Sequence, residues 1–236
     1  MRWFEEQMAT RRVRLQTDER RTQLIELGTR VFSSRPYDEI VMDEVAEMAK
    51  VSKGLLYHYF RSKREFFVET IRAASLHLRS LTEPDISLPP GARLRGAIDA
   101  HLDYVREHGR IYATIYRSGT SIAPEVQDIL DEHRAIVMQW LALNLGVSKP
   151  KPLLRSALRA WVATVEGMSL DWIDHPNVEQ SALRELLVAS YGALIKRAET
   201  LAVAPSAAAS DEKRPNEKRK SKSADAARRP RARQKA

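Results

Sequence analysis

Apolar residues recur at the spacing of amphipathic helices throughout residues 17–199, and no long alternating run typical of strands interrupts them. Proline and glycine fall mainly at the junctions between these segments. The pattern therefore predicts an all-α fold with about nine helices. We expect them at residues 18–33, 42–49, 53–60, 63–81, 92–108, 110–118, 124–145, 152–174 and 178–201.

The same pattern divides the chain into four regions. Residues 1–17 are expected to form a flexible N-terminal arm, residues 18–64 a small three-helix domain, and residues 65–202 a larger helical domain. Residues 203–236 are predicted to be disordered, because their Ala, Ser, Pro, Lys and Arg cannot bury enough apolar surface to offset the entropy of ordering. Met8 would also make an ordinary start, so residues 1–7 are either native or an upstream extension.

Composition narrows the class of protein. The chain contains no cysteine, which excludes disulfides, thiolate metal sites and cysteine nucleophiles and fits a reducing cytoplasm. No stretch approaches the roughly 18 uninterrupted apolar residues of a membrane span, so we expect a soluble, cytoplasmic protein without a membrane partner. The formal net charge of +8 suggests an acidic partner, although most of the excess lies in residues 203–236, where 11 Lys or Arg accompany 4 Asp or Glu.

Residues 42–60 have the spacing of a helix-turn-helix. Val45, Ala46 and Leu56 supply small and medium apolar contacts between two short helices, which residues 50–52 join tightly. Ser52 is placed to cap the second helix through its hydroxyl oxygen. The pattern therefore predicts that this second helix enters the major groove of DNA.

The second helix carries the residues expected to touch DNA. Its first turn would present Lys53, Gly54 and Leu55 to base edges, and the glycine would let the backbone approach closely. Tyr57 and His58 follow one turn later, where a phenol and an imidazole can donate hydrogen bonds to phosphate oxygens.

The run VSKGLLYHYF at residues 51–60, followed by Ser62 and Lys63, closely resembles the signature of the tetracycline-repressor (TetR-like) family. The likeness extends from about residue 21 to residue 67. It implies phosphate contacts at Ser52, Tyr57, His58 and Lys63, and base-edge contacts at Lys53, Gly54 and Leu55. It also places Leu56 and Phe60 in the core and leaves the role of Tyr59 open.

Two positions depart from the family pattern. Val41 stands where such sequences usually have a Thr or Ser cap, and Lys50 stands where the turn between the helices usually has glycine. A missing cap costs roughly 1 kcal/mol, and a non-glycine residue in a left-handed turn costs on the order of 1 kcal/mol. Asp43 or Glu44 would compensate at the helix start.

The resemblance further implies that residues 65–202 bind an effector and form a homodimer. We expect an effector pocket of aromatic and apolar residues at Leu102, Tyr104, Tyr112, Tyr116, Met138, Trp140 and Trp161, a lining that suits an apolar or amphipathic ligand. We expect a dimer interface on the last two helices at Leu158, Val165, Trp172, Leu183, Leu187, Tyr191 and Leu194. Each of these residues also suits the core of a single chain.

Two pairs of residues have a spacing that a metal could use. His101 and His108 share a helix face, and Asp171 and His175 are separated by one turn. We expect hydrogen-bonded or solvent-facing histidines instead, with no metal and no cofactor.

The sequence thus predicts a homodimeric repressor that binds a palindromic operator in double-stranded DNA and is released by a small effector. Repression is implied by the family alone. Two other classes stay open: a general DNA-coating protein, which the basic tail favours, and a helical enzyme or carrier that has lost DNA binding. Enzymatic activity is not expected, because the sequence has no phosphate-binding loop or catalytic motif. The tail would either raise non-specific affinity for DNA or act as a solubilising segment.

Overall fold

The computed structural model describes residues 2–203, with side chains for residues 18–202, and this part of the chain contains helices and loops without a strand. The prediction of an all-α fold is confirmed. The helices are α1 (Arg2–Ser34), α2 (Met42–Met48), α3 (Lys53–Tyr59), α4 (Lys63–Thr82), α5 (Pro90–Thr114), α6 (Thr120–Ile122), α7 (Glu125–Asn144), α8 (Pro152–Asp174) and α9 (Gln180–Val203). A 3-10 turn lies at Tyr37–Glu39, and a π-helical turn lies at Ile115–Gly119. None of the described helices is long and apolar enough to cross a membrane. The disorder predicted for the tail concerns residues outside the described part of the chain.

Helix α1 begins at Arg2 instead of near residue 18. The prediction of a flexible arm at residues 1–17 is therefore corrected, because residues 2–17 are part of helix α1. The physical reason is visible in the sequence: neither proline nor glycine occurs before Gly28, so nothing stops the helix from extending towards the N-terminus.

Helix α5 joins two of the predicted helices. The expected break near Gly109 is a kink, where His108 has non-helical torsion angles (φ −119°, ψ 25°), and the helix continues to Thr114. A Cβ atom on Gly109 would lie 3.2 Å from Cγ1 of Ile173 in α8. Gly109 thus marks a close approach of two helices rather than a helix end.

The first hydrophobic core, called here the N-terminal core, unites α1–α4 with the end of α5 and the start of α7. Its centre is aromatic: Phe32 and Phe67 have ring centroids 5.0 Å apart, and Phe60 and Phe66 are 4.9 Å apart. Ile115 is buried in this same core, although it belongs to the larger domain. The small predicted domain is therefore packed directly against the larger one.

The connection between α2 and α3 shows both departures noted in the sequence. Lys50 has a φ of 54°, which is the left-handed region that favours glycine. Val41 is the N-cap of α2 and its side chain makes no capping hydrogen bond. Asp43 and Glu44 lie in the first turn, where negative charge stabilises the positive end of the helix dipole. The left-handed turn and the uncapped helix start expected from the sequence are thus both present in the structure.

The second hydrophobic core, called the C-terminal core, lies among α5, α7, α8 and α9, with Leu78 of α4 at its edge. Leu158 and Leu187 are completely buried in it. The indole N–H of Trp161 donates to the carbonyl oxygen of Leu187 at 2.9 Å, and its ring centroid lies 5.2 Å from that of Tyr191. The large apolar side chains of α8 and α9 therefore face the inside of one chain.

This arrangement corrects the predicted dimer interface. Five of the seven residues are buried within the single chain and offer little or no surface to a second copy: Leu158, Trp172, Leu183, Leu187 and Tyr191. Val165 and Leu194 are half-buried against the same core. The large apolar side chains of α8 and α9 pack inside the chain, so mainly smaller residues of these helices face outward.

Two histidines lie inside the larger domain. Burial lowers the pKa of His101 to about 4, with a further contribution from the nearby His133. Burial likewise lowers the pKa of His133 to about 4, assisted by the cationic Arg79 and Arg134. Both imidazoles are therefore neutral at pH 7.

We expect Lys50→Gly to raise the free energy of unfolding by about 0.5–1 kcal/mol, because relief of left-handed backbone strain exceeds the added chain entropy of glycine. Thermal or urea denaturation measures the change. Lys50→Ala is the matched control, since it removes the charge but keeps the strain. Equal stabilisation by alanine and glycine would contradict the backbone explanation.

We expect the free energy of unfolding to fall as the pH decreases from 6.5 to 4, because unfolded histidine takes up a proton in this range whereas folded His133 does not. For His133 alone the loss is on the order of 3 kcal/mol by pH 4. Urea denaturation at a series of pH values measures it. His133→Gln should flatten the decline, and His175→Gln, at an exposed histidine, should not. An unchanged decline in the first variant would assign it to other groups.

Candidate nucleic-acid interface and effector cavity

The exposed face of α3 carries the predicted DNA contacts. The Ser52 hydroxyl caps the helix by accepting a hydrogen bond from the Leu55 N–H at 3.1 Å. Leu56 and Phe60 are completely buried in the N-terminal core and fix the orientation of the helix. Six of the seven residues expected at DNA are exposed, and the seventh, Lys63, is half-buried. The exposed six are Ser52, Lys53, Gly54, Leu55, Tyr57 and His58.

Gly54 leaves open space on this face, because a Cβ atom at this position would meet nothing within 4 Å. Packing inside the chain therefore does not require glycine at this position. The absence of a side chain leaves room for another molecule to approach the main chain closely. Tyr59, whose role the sequence left open, is half-buried and lies against His58 and Phe60. It belongs to the support of the helix rather than to its exposed face.

Lys53 is held by a carboxylate in the free protein. Its ammonium nitrogen lies 2.9 Å from Oδ1 of Asp43, and both side chains are more than half exposed. The hydrogen bond to Asp43 raises the pKa of Lys53, so the ammonium is fully charged at pH 7. The base-edge contact expected at Lys53 stays a prediction, and it would require the ammonium to leave Asp43.

Lys63 has a structural role that the sequence did not reveal. Its ammonium donates to the carbonyl oxygens of Tyr37 at 2.9 Å and of Ile40 at 3.0 Å, and it lies 4.3 Å from the centre of the Tyr37 ring. The side chain therefore ties the loop before α2 to the start of α4. The phosphate contact expected at Lys63 stays a prediction, and it would compete with these bonds.

Two exposed cations beside α3 were not predicted from the sequence as candidate DNA contacts. Lys50 precedes the helix and Arg61 follows it, and both are exposed. The backbone N–H of Arg61 donates to the Glu65 carboxylate at 2.8 Å, which fixes the main chain and leaves the guanidinium outside. Their positions next to the two ends of α3 could have identified them in the sequence, because cations that flank a recognition helix are suited to phosphate contacts.

The larger domain contains a cavity of about 760 Å³, including its open mouth, between the end of α4 and helices α5, α7 and α8. Three predicted pocket residues line it: Tyr116, Trp140 and Trp161. Most of the other lining residues were not expected, and they include Ile98, His101, His133, Val137, Leu141, Asn144, Val162, Val165 and Glu166.

Four predicted pocket residues do not line the cavity, which corrects the expected site. Leu102, Tyr104 and Tyr112 are buried in the C-terminal core, and Met138 is half-buried against it. Val165, expected at a dimer interface, faces the cavity instead. Hydrophobicity alone cannot separate a wall from a core, because both environments select the same side chains.

Two charged residues that line the cavity, Glu166 and Arg93, are hydrogen-bonded inside the chain. Glu166 accepts two hydrogen bonds from Arg134, at 2.8 and 2.9 Å, and this pairing raises the pKa of the guanidinium. Arg93 donates to the carbonyl oxygens of Leu88 and Ile86. The cavity wall is therefore mainly apolar, with one ion pair and one guanidinium bound to neutral carbonyl oxygens at its margin.

The histidine pairs considered for metal binding are used otherwise. The Nε2 atom of His101 lies 3.0 Å from the Ser169 hydroxyl, and the His108 ring packs against Tyr104. His175 is exposed beside Asp171. Among the side chains that the structure describes, no group of three or more His, Asp or Glu could hold a metal.

Comparison with known proteins agrees with this architecture. Residues 24–70 match the model of "Bacterial regulatory proteins, tetR family", and residues 90–195 match that of "Tetracyclin repressor-like, C-terminal domain". A tetR-family regulator of Streptomyces coelicolor has a similar structure, with a TM-score of 0.73, 29% identity and coverage of 78% of this chain and 83% of that one.

Two characterised relatives show the same likeness in sequence. The transcriptional activator FasR of Mycolicibacterium smegmatis is 33% identical over 115 residues, which are 48% of this chain and 52% of FasR. The match thus spans about half the length of that relative. The transcriptional repressor KstR2 of Mycobacterium tuberculosis is 28% identical over 144 residues, which are 58% of this chain and 72% of KstR2.

Matches to both family models in their proper order, on a fold with an exposed, capped recognition helix, lead to one conclusion. The chain belongs to the TetR family of DNA-binding transcriptional regulators.

Proposed function

We propose that this regulator is a homodimeric repressor that binds a palindromic operator and is released when a small molecule occupies the cavity. The observation that carries the DNA-binding part is the exposed face of α3, held by Leu56 and Phe60 and capped by Ser52. Lys53, Gly54 and Leu55 would contact base edges, and Ser52, Tyr57 and His58 would contact phosphates. Repression is the simplest mode, and KstR2 carries the name of a repressor whereas FasR carries that of an activator. The regulator would act in the cytoplasm, where the operator is accessible.

A dimer is required because one short recognition helix makes too few contacts for a high-affinity operator. The buried faces of α8 and α9 cannot supply the interface, so we assign it to their exposed faces. On α8 this face carries Ala160, Ala163 and Gly167, and on α9 it carries Leu186, Ala189 and Ala193. In each helix the spacing places the three residues on one side, and small side chains permit close helix packing.

The effector would act through the π-helical turn after α5. Tyr116 in this turn lines the cavity and packs against both hydrophobic cores, and its neighbour Ile115 is buried in the N-terminal core. An ion pair between Arg64 and Glu125, at 2.6 Å, also joins the start of α4 to the start of α7. A ligand that moves Tyr116 would therefore shift α4 and with it the position of α3, provided that it binds the two arrangements with different affinity.

A general DNA-coating protein is the second candidate function, favoured by the basic composition of residues 203–236. The two candidates differ in their footprint. Protection confined to one palindrome supports the operator-binding regulator, whereas protection that spreads evenly along a fragment supports coating.

We expect Tyr57→Phe to weaken operator binding roughly tenfold, because the variant loses a hydrogen bond to a charged phosphate worth about 1.5 kcal/mol. The probe is a duplex selected from random-sequence DNA by the purified protein, and binding is measured by gel shift. Tyr59→Phe is the matched control on the supported side of the helix and should bind normally. Equal affinity of both variants and the unmodified protein would remove Tyr57 from the interface.

We expect Leu186→Arg to convert the dimer to a monomer in sedimentation velocity, because it places an unpaired charge in the centre of the proposed interface. Ile86→Arg is the control, since Ile86 is 83% exposed on the loop between α4 and α5. Circular dichroism checks that both variants fold. A Leu186→Arg protein that stays dimeric would exclude the exposed face of α9.

A further inference from the structure

One positive charge in the cavity wall has no negative partner. Of the lining residues that the structure describes, only Arg93 and Glu166 are charged at pH 7. His101 and His133 are neutral there, because burial lowers the pKa of each imidazole to about 4. Glu166 is paired with Arg134, whereas the hydrogen bonds of Arg93 go to neutral carbonyl oxygens. The wall therefore has an unbalanced positive charge at Arg93.

The guanidinium of Arg93 is held in place with donors to spare. Its Nε atom donates to the Leu88 carbonyl oxygen at 2.5 Å, and Nη2 donates to that of Ile86 at 2.8 Å. A guanidinium has five N–H donors, so three of them have no partner in the part of the chain that the structure describes. A carboxylate or phosphate accepts hydrogen bonds from such donors in a charge-assisted pair. The loop thus orients the side chain without neutralising it.

Asp85 lies in the same loop and does not neutralise Arg93. Its carboxylate accepts hydrogen bonds from the Ser87 hydroxyl at 2.6 Å and from the Ser87 N–H at 2.9 Å. These two bonds lower the pKa of Asp85 more than the charge of Arg93 does. Asp85 is also exposed, whereas Arg93 is half-buried. The acidic side chain of the loop is therefore engaged elsewhere and leaves Arg93 to a ligand.

The two ends of the cavity lie well apart. The Asn144 amide donates to the Pro90 carbonyl oxygen at 3.2 Å, which places the end of α7 beside the first turn of α5 and thus beside Arg93. The wall follows α7 back to His133, eleven residues earlier and roughly 16 Å along the helix axis. Next to His133 on α7, the Arg134 guanidinium lies 5.9 Å from the centre of the Tyr116 ring. Arg93 and the π-helical turn are therefore at opposite ends.

The wall between these ends suits an apolar chain. Its side chains are aliphatic or aromatic on all three of α5, α7 and α8. They are Leu94, Ile98, Val137, Trp140, Leu141, Trp161, Val162 and Val165. A chain buried against them gains the free energy of removing apolar surface from water.

We propose that the effector is an amphipathic anion, with a carboxylate or phosphate group on Arg93 and an apolar chain that extends towards Tyr116. The pairing with an unbalanced cation offsets the cost of bringing the anionic group out of water. This assignment rests on the proposed function, because it names the chemical class of the molecule that would release the operator.

Fluorescence titration of the full-length protein tests the assignment, since Trp140 and Trp161 line the cavity and report on its occupancy. The probes are dodecanoate, dodecyl phosphate, dodecanol and dodecyltrimethylammonium, which share one chain and differ only in the head group. We expect the two anions to bind about tenfold to a hundredfold more tightly than the alcohol, because hydrogen bonds to a charged group are the stronger kind. The cationic probe should bind most weakly. The ratio of the two anions distinguishes a carboxylate ligand from a phosphate ligand.

Arg93→Gln should lower the affinity for both anions to that for dodecanol and leave the affinity for dodecanol unchanged. Arg93→Lys keeps the charge without the planar fork and should retain part of the preference. Arg95→Gln is the matched control, because Arg95 is an exposed arginine of the same helix that pairs with Glu185 and does not line the cavity. Circular dichroism checks that the variants fold.

Four results would overturn the proposal. They are equal affinity for dodecanol and the anions, an equal loss of anion binding in Arg95→Gln, a loss in Arg93→Gln that affects all four probes alike, and no binding of any probe. The third result would mean that Arg93 only shapes the loop.

Operator binding is measured by gel shift on the same preparations, with and without each probe. Intact operator binding without a preference for anions overturns this proposal alone. An anion preference that depends on Arg93, in a protein that binds no operator, overturns the proposed function alone.

Discussion

Residues 18–64 are too few to enclose a hydrophobic core of their own, and the rest of the structure follows from this constraint. The core that their apolar side chains begin is completed by residues of α4, by Ile111 of α5 and by Ile115 of the following π-helical turn. Val126 and Ile129 at the start of α7 also belong to it. Gly28 shows how close this packing is, since a Cβ atom there would collide with Thr70 and Phe66 of α4. A recognition helix built on a shared core cannot be repositioned without the larger domain, and that dependence makes control by a distant ligand physically possible.

The sequence was sufficient for most of the helices and for the exposed face of α3, because both depend on local rules. Periodicity located α8 correctly at both ends, and the capping oxygen of Ser52 was evident from the residue type at its position. The left-handed turn at Lys50 was expected from the resemblance to a family that usually has glycine there. Local chemistry determines such features before any tertiary contact forms.

The sequence was insufficient wherever a side chain has two possible environments. Leu158 and Leu187 suit an interface as well as a core, and only the packing of α8 against α9 decides that they are internal. Lys63 was expected at a phosphate because the family resemblance implied it, yet in the free chain its partners are carbonyl oxygens of a loop more than twenty residues earlier. Arg93 carried no signal at all, since a position in the wall of a cavity cannot be read from a sequence.

The ion pair between Lys53 and Asp43 has a consequence for the thermodynamics of DNA binding. In the proposed complex, a Lys53 side chain that turned to a base edge would leave the Asp43 carboxylate unpaired close to the phosphate backbone, where it would attract a cation from solution. Each cation taken up in this way would offset one that DNA releases on binding, so the complex would lose less affinity with rising salt than its exposed cations suggest. The acidic start of α2 would therefore make binding less dependent on ionic strength and more dependent on the fit between α3 and the bases.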